Sequence, residues 1–300
     1  MNLQLSLSQR RIPRLFAFLA EPRALFGAAV LLLLAVVALA APMLAPHLPN
    51  EQDLVNTLLP PMWAPGGLRS FPLGTDALGQ CILSRLLYGA RVTVIIATLA
   101  PLGACALGCT LALVAGYCGG KVDWLILRVV DVWMSFPAIV LALVLMVALS
   151  PSLTNVIVAI VLADWTRFCR ILRSEVVVLR RREYVAAARI AGARHWQVVL
   201  RDIVPGILPM LISLLSIEMG VAVVAEAILS FVGRSVQASV PTWGTMVADG
   251  LQNVFSSQWG LILPVLCIVV TVLATTMLGD GLRRSADPRL LGHAVKQGEP

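Results

Sequence analysis

The residues that could do chemistry are few, and most fail on spacing. A phosphate-gripping loop needs Gly, four residues, Gly-Lys and then Ser or Thr, so that backbone N–H groups and the lysine surround the phosphates. The nearest match ends at Gly120–Lys121, but its first position is Ala115 and its last is Val122. The other lysine, Lys296, lies near the C-terminus. His47, His195 and His293 are scattered, with no pair at the spacing of helical metal ligands. No Gly-x-Ser-x-Gly turn is present. The six cysteines match no zinc pattern, and Cys105, Cys109 and Cys267 lie inside apolar runs as small filler. The expectation is a chain that is no enzyme and holds no metal or cofactor. Two polar features remain. Glu218 and Glu226 lie in an otherwise apolar run, eight residues and so about 80° apart on a helix. Charge in a membrane is costly and is paired or faces water. The two carboxylates therefore either line a polar path or pair with a basic or hydroxyl neighbour. The second feature is the stretch EYVAAARIAGARHW, residues 183–196, in a segment holding nine arginines.

The elements that must position these groups are membrane helices. The chain has 300 residues, 59% hydrophobic and only 13% charged, where soluble domains carry about 25%. Its apolar residues come in blocks long enough to span lipid, which takes roughly 20 residues per helix. They lack the alternation of barrel strands. The blocks are 24–45, 92–115, 132–149, 153–165, 207–232 and 261–278. The expected fold is all-α, a polytopic membrane protein of six transmembrane helices. Its parts would be a tail 1–23, an anchor helix 24–45, an extracytoplasmic loop 46–88, a core 89–280 with a cytoplasmic loop 166–206, and a tail 281–300. The first block ends in ALAAP, like a cleavage site, but a signal core runs only about 7–15 residues, so an uncleaved anchor is expected.

Arginine and lysine mark the cytoplasmic side. Four arginines precede the first block, two basic residues lie in 116–131, nine in 166–206 and four after the last block. The alternate segments hold two in 46–88, none in 150–155 and one in 233–260. Both termini and the 166–206 loop are thus expected in the cytoplasm. The net charge of +7 reads as topology and attraction to anionic lipid. No compact basic domain with interleaved aromatics suggests nucleic acid.

Within that loop, Arg180–Ile190 has good helix formers, Gly192 sits where a helix ends in a left-handed residue, and a second helical run, Arg194–Val204, meets Pro205. Proline is expected to break it there. About 25 residues cannot bury a core of their own. The pair either docks on an acidic partner or lies on lipid headgroups.

The segment EYVAAARIAGARHWQVVLRDIVPGILP resembles the cytoplasmic EAA loop of ABC importer permeases. Ala187 and Ala188 match its two alanines, Gly192 its glycine and Val204–Pro205 its close, while Ala186 stands where the family often has Glu. FPLGTDALGQCILSRLLYGARVT (71–93) resembles the segment before the second span in dipeptide, oligopeptide and nickel permeases, with Gln80 and Cys81 departing from the usual Arg-Asp. AGYCGGKVD (115–123), MSFP (134–137), AEAILSFVG (225–233), PTWGTM (241–246) and GDGLRRSADPRL (279–290) also fit, and the first span suits the C-type subunit. The resemblance implies a type I permease fold in the bacterial inner membrane. It implies a second homologous permease, one or two cytosolic ATPase subunits that bind the ATP, and an extracytoplasmic solute-binding protein. Glu183, Ala187, Ala188, Gly192, Ala193 and Pro205 would couple to the ATPase. Glu218 and Glu226 remain candidates for the translocation path. The implied cargo is peptides, with nickel or a metal chelate as the alternative. An ion-driven secondary transporter would instead show inverted repeats, and none is evident.

Overall fold

The computed structural model describes residues 21–286, and ten α-helices lie among them. They are α1 (Pro22–Leu44), α2 (Ile82–Cys118), α3 (Gly120–Met134), α4 (Ala138–Ala148), α5 (Leu153–Arg180), α6 (Glu183–Ile190), α7 (His195–Val198), α8 (Val204–Phe231), α9 (Trp243–Gln252) and α10 (Trp259–Ala286). A π-turn, Val199–Ile203, joins α7 to α8. The tails 1–20 and 287–300 lie outside the described residues, and with them His293, Lys296 and most of the expected C-terminal tail.

Four stretches are long and apolar enough to cross a membrane: α1, α2, the run His195–Phe231 that ends in α8, and α10. A fifth crossing is counted if the bent pair α3–α4 is one span. The single block expected over 132–149 is therefore corrected. α3 ends at Met134, α4 starts at Ala138, and the two meet at 83°. Proline cannot continue a helix ladder and pushes the residue before it out of the helical region, and Pro137 stands at this break. Pro101 and Pro264, also expected to interrupt or start helices, sit inside α2 and α10 without a break. Proline is tolerated in membrane helices where neighbours satisfy the freed carbonyl.

The fourth expected block, 153–165, is only the first half of α5, a 28-residue helix. By its arginines, the second half reads in the sequence as loop. Those arginines are partnered instead: Arg173 holds Asp123 of α3 with two hydrogen bonds, and Arg170 pairs with Asp131 of α3. The helix continues because its charges are neutralised on the neighbouring helix.

Small residues bring these helices together, as expected where lipid offers no hydrophobic drive between apolar surfaces. α2 and α5 pack along a row at Gly103, Gly108 and Gly116, which face Val161, Phe168–Cys169 and Val176. α1 lies on α10, Gly27 against Ala274 and Leu278, and Gly281 against Ala24. Buried Ile96, Ala100, Val156, Ile160, Ala222 and Leu229 form a core between α2, α5 and α8. Buried Trp243 of α9 donates its indole N–H to the Leu86 carbonyl at 3.1 Å and ties α9 to α2.

The segment 45–81 has no helix but is held in place. Buried Thr75 accepts from the Leu59 N–H at 2.9 Å and donates to the Asn56 carbonyl at 2.6 Å. The Asn56 amide donates to Asp53 and holds that carboxyl below its usual range. Arg85, near the start of α2, pairs with Asp76 of this segment and reaches Asp249 of α9 at 3.4 Å.

Candidate functional site

Two features stand out: a helical loop projecting from one end of the bundle, and an open cleft at mid-depth between helices.

The loop begins where α5 stops. Arg181 and Arg182 make a turn through N–H bonds to Val178 and Leu179. Glu183 then sits in the first turn of α6 and Arg189 in its last, each on the side that the helix dipole favours. The helix therefore starts at Glu183 rather than Arg180. At its other end the Gly192 N–H bonds the Arg189 carbonyl, and the Ala193 N–H reaches back to Ala188 at 3.0 Å. Gly192 has φ +85°. This six-to-one closure needs a left-handed residue, which glycine adopts without steric cost. Ala188 and Ala193 thus enter through their backbone, and Ala187 through its carbonyl, which accepts from the Ala191 N–H.

After the turn, Gln197 caps α7 by accepting from the Arg194 N–H at 2.9 Å. The expected break at Pro205 does not occur. Pro205 lies in the first turn of α8, where no N–H is needed. The preceding π-turn bonds the Val204 N–H to Val199 instead. Wide turns of this kind are found mostly as single interruptions at working sites.

Only Val185 of α6 is buried. The outer face presents Ile190, 89% exposed, with Trp196 and Leu200 each 57% exposed. Four arginines, 181, 182, 189 and 194, lie in the same loop, and all are exposed. Glu183, Ala187, Gly192 and Pro205 are exposed too, and Ala188 and Ala193 half-buried. The structure thus brings the loop residues singled out in the sequence to one projecting unit. It also adds one residue that spacing could not show. Tyr117, at the end of α2, meets His195 Nδ1 through its hydroxyl at 2.8 Å, and its ring lies under Arg189 at 5.1 Å and Arg180 at 6.0 Å.

The two glutamates go to different places. Glu226 is 1% exposed and accepts from Ser230 one turn on, at 2.5 Å. Glu218 is 3% exposed; its Oε1 accepts from Arg167 Nη1 of α5 at 2.9 Å, and its Oε2 has no partner. They stand about 12 Å apart along α8. Neither lines the mid-depth cleft. That cleft, about 450 Å³, is walled by α4, α5, α8 and α10, and its charged lining is Asp164 and Arg167. In the sequence Asp164 only marks the end of an apolar run, and Arg167 only adds to the count of loop arginines. Their three-residue spacing, which puts both on one helix face, was the available signal.

A bundle of long apolar helices, drawn together by glycines and carrying a helical loop at one end, defines an integral membrane transport component. Residues 108–292 match the family described as binding-protein-dependent transport system inner membrane component. Residues 15–61 match the N-terminal transmembrane domain of oligopeptide transport permease C. The chain belongs to the family of binding-protein-dependent transport system inner membrane components, which carries the type I ABC permease fold. It is a multi-pass inner membrane protein and one component of a larger transport system. Among its relatives is the dipeptide transport system permease protein DppC of Escherichia coli strain K12, 39% identical over 89% of each chain. The di/tripeptide transport system permease protein DppC of Pseudomonas aeruginosa is 36% identical over 89% of this chain and 88% of its own. The dipeptide transport system permease protein DppC of Haemophilus influenzae is 34% identical over 92% of this chain and 93% of its own.

Proposed function

We propose that this chain is a peptide-translocating permease subunit, driven by ATP that a separate cytosolic ATPase hydrolyses. The observation that carries the reading is the projecting loop. Ile190 and Trp196 stand exposed in a loop that also exposes four arginines, on a unit tied to the bundle through Val185, Tyr117 and the π-turn. An apolar knob on a cationic loop suits an acidic-edged cleft on a partner protein. The names of the relatives supply the cargo, di- and tripeptides. The loop end of the bundle faces the cytoplasm on the arginine count, and both termini lie on that side. A second, homologous permease completes the path, and an extracytoplasmic solute-binding protein delivers the peptide. ATP closes the ATPase pair and moves its clefts, and α6 with the Gly192 turn passes that motion to α8. This is a two-state balance biased through one docked element.

The test is Gly192→Asp. No atom lies within 4 Å of a Cβ built there, and aspartate tolerates the left-handed region better than most residues. The chain therefore folds, but a carboxylate stands on the docking face. The tagged wild-type chain, purified from mildly solubilised membranes, should bring down a second multi-span permease and a P-loop ATPase. Gly192→Asp should lose the ATPase and peptide uptake, while the uncharged Gly192→Asn keeps more of both. Normal uptake by Gly192→Asp would overturn the coupling role.

A further inference from the structure

We propose that Asp164 is the group in this permease that takes the α-ammonium of the passing peptide, with Arg167, braced by Glu218, beside it in the same cleft. The inference rests on the peptide-permease reading and adds the residue that meets the cargo. Position comes first. Asp164 and Arg167 stand about 17 and 21 Å along α5 from Leu153, and Glu218 about 21 Å along α8 from Val204. On two helices of 28 residues each, these groups lie near the middle of their length. Lipid would not tolerate them there unless they faced protein or a water-filled path.

Partnering comes next. Asp164 is only 7% exposed, yet among the described residues it accepts no hydrogen bond and makes no ion pair. What remains open of its surface lies in the cleft. Arg167 is turned to Glu218, and Glu218 Oε2 is itself buried without a partner. Two buried carboxyl groups thus stand beside one guanidinium, and only Glu218 is bonded to it, which leaves Asp164 as the acidic group without a partner in the cleft. The other walls supply none: Ile139, Ile160, Val221, Val224 and Val272 are aliphatic, and Thr276 is neutral. The cleft's volume is about 450 Å³, within the roughly 300–1,000 Å³ of small-molecule sites.

The chemistry selects the ligand. An unblocked linear peptide carries an ammonium at one end at neutral pH, whatever its side chains. A lone carboxylate at mid-depth reads that group, and smooth aliphatic walls leave the side chains unread. Arg167 keeps spare donors toward the cleft, since its side chain is 42% exposed although paired.

The experiment uses the whole transporter, with its partner permease, ATPases and binding protein, in proteoliposomes supplied with ATP and labelled alanyl-alanine. Asp164→Asn should lower uptake about tenfold or more, the scale of one hydrogen bond to a charged group. The complex should still assemble and hydrolyse ATP, and Asp164→Glu should recover most of the uptake. Unchanged uptake by Asp164→Asn overturns the inference. If the wild-type transporter carries no peptide, the peptide reading itself fails.

A second measurement needs no variant and no binding protein. Alanyl-alanine at high millimolar concentration should raise the melting temperature of the wild-type permease–ATPase complex, and N-acetyl-alanyl-alanine should not. Equal shifts, or none with either peptide, would overturn the assignment. So would a basic side chain of the second permease filling the cleft, seen as cross-linking to Asp164→Cys that peptide does not slow.

Discussion

The packing of α2 on α5 can be tested by adding one methyl group at a time. A Cβ at Gly108 would stand 2.6 Å from the Phe168 Cβ and 3.0 Å from the Cys169 backbone nitrogen. Ordinary contact begins near 3.4 Å, so the two helices would have to part by about 1 Å, and no rotamer change relieves it. Overpacking of that kind costs about 1–3 kcal/mol, and a rigid neighbour puts it at the upper end. Alanine returns up to about 1 kcal/mol of helix propensity over glycine. Gly108→Ala should therefore destabilise by about 2 kcal/mol. At Gly103 the same methyl group meets only Val161 Cγ2, at 2.7 Å. A turned or strained valine rotamer costs about 0.5–1.5 kcal/mol, and helix propensity offsets most of that. Gly103→Ala should be close to neutral. The assay is thermal denaturation of the purified transporter in detergent, followed by loss of the monodisperse species. The expected gap between the two variants is several degrees, from a shift of about 2–4 °C per kcal/mol in chains of this size. If Gly103→Ala proves as damaging as Gly108→Ala, the helices do not meet along the row described and the reasoning fails.

Two further outcomes follow from named partners. Tyr117→Phe removes the hydroxyl bond to His195 but leaves the ring under Arg180 and Arg189; amide exchange across 183–198 should quicken about two- to fivefold, with exchange in α2 unchanged, and equal protection would mean the bond does not hold the loop. Arg167→Met strands the buried Glu218 carboxylate and should destabilise by about 2 kcal/mol, below the usual range for a buried pair because Arg167 is partly exposed; the double variant with Glu218→Gln should regain much of that in the same melting assay, and simple additivity would deny the pairing.

Patterning made the long apolar helices legible, because lipid forces one period and one length on them. The turn at Gly192 was equally plain, since few residues other than glycine end a helix that way. What patterning obscured was α5 beyond Trp165. Arginine density there looks like a loop, and only the pairing of Arg170 and Arg173 with Asp131 and Asp123, far away in sequence, makes it a helix. The same blind spot hid the cleft: Glu218 drew attention as a charge in an apolar run, yet it braces Arg167 from behind while Asp164 faces the opening. Pro205 misled for a local reason, since it falls in the first turn of α8, where no N–H is needed.

The bend between α3 and α4 bears on how the chain enters the membrane during synthesis. α4 has 11 residues, about 16 Å of helix, roughly half of what a hydrocarbon core requires. Leaving the ribosome on its own, it is too short to settle as an independent crossing, and the 83° turn keeps α3 from lengthening it. Its apolar surface finds cover only when α5 arrives, with Met146 and Ala142 buried in the same cluster as Val156 and Ile160. Cover for α4 is therefore complete only once the chain has been made through Arg180, the end of α5, so this short helix depends on a segment that follows it in the sequence.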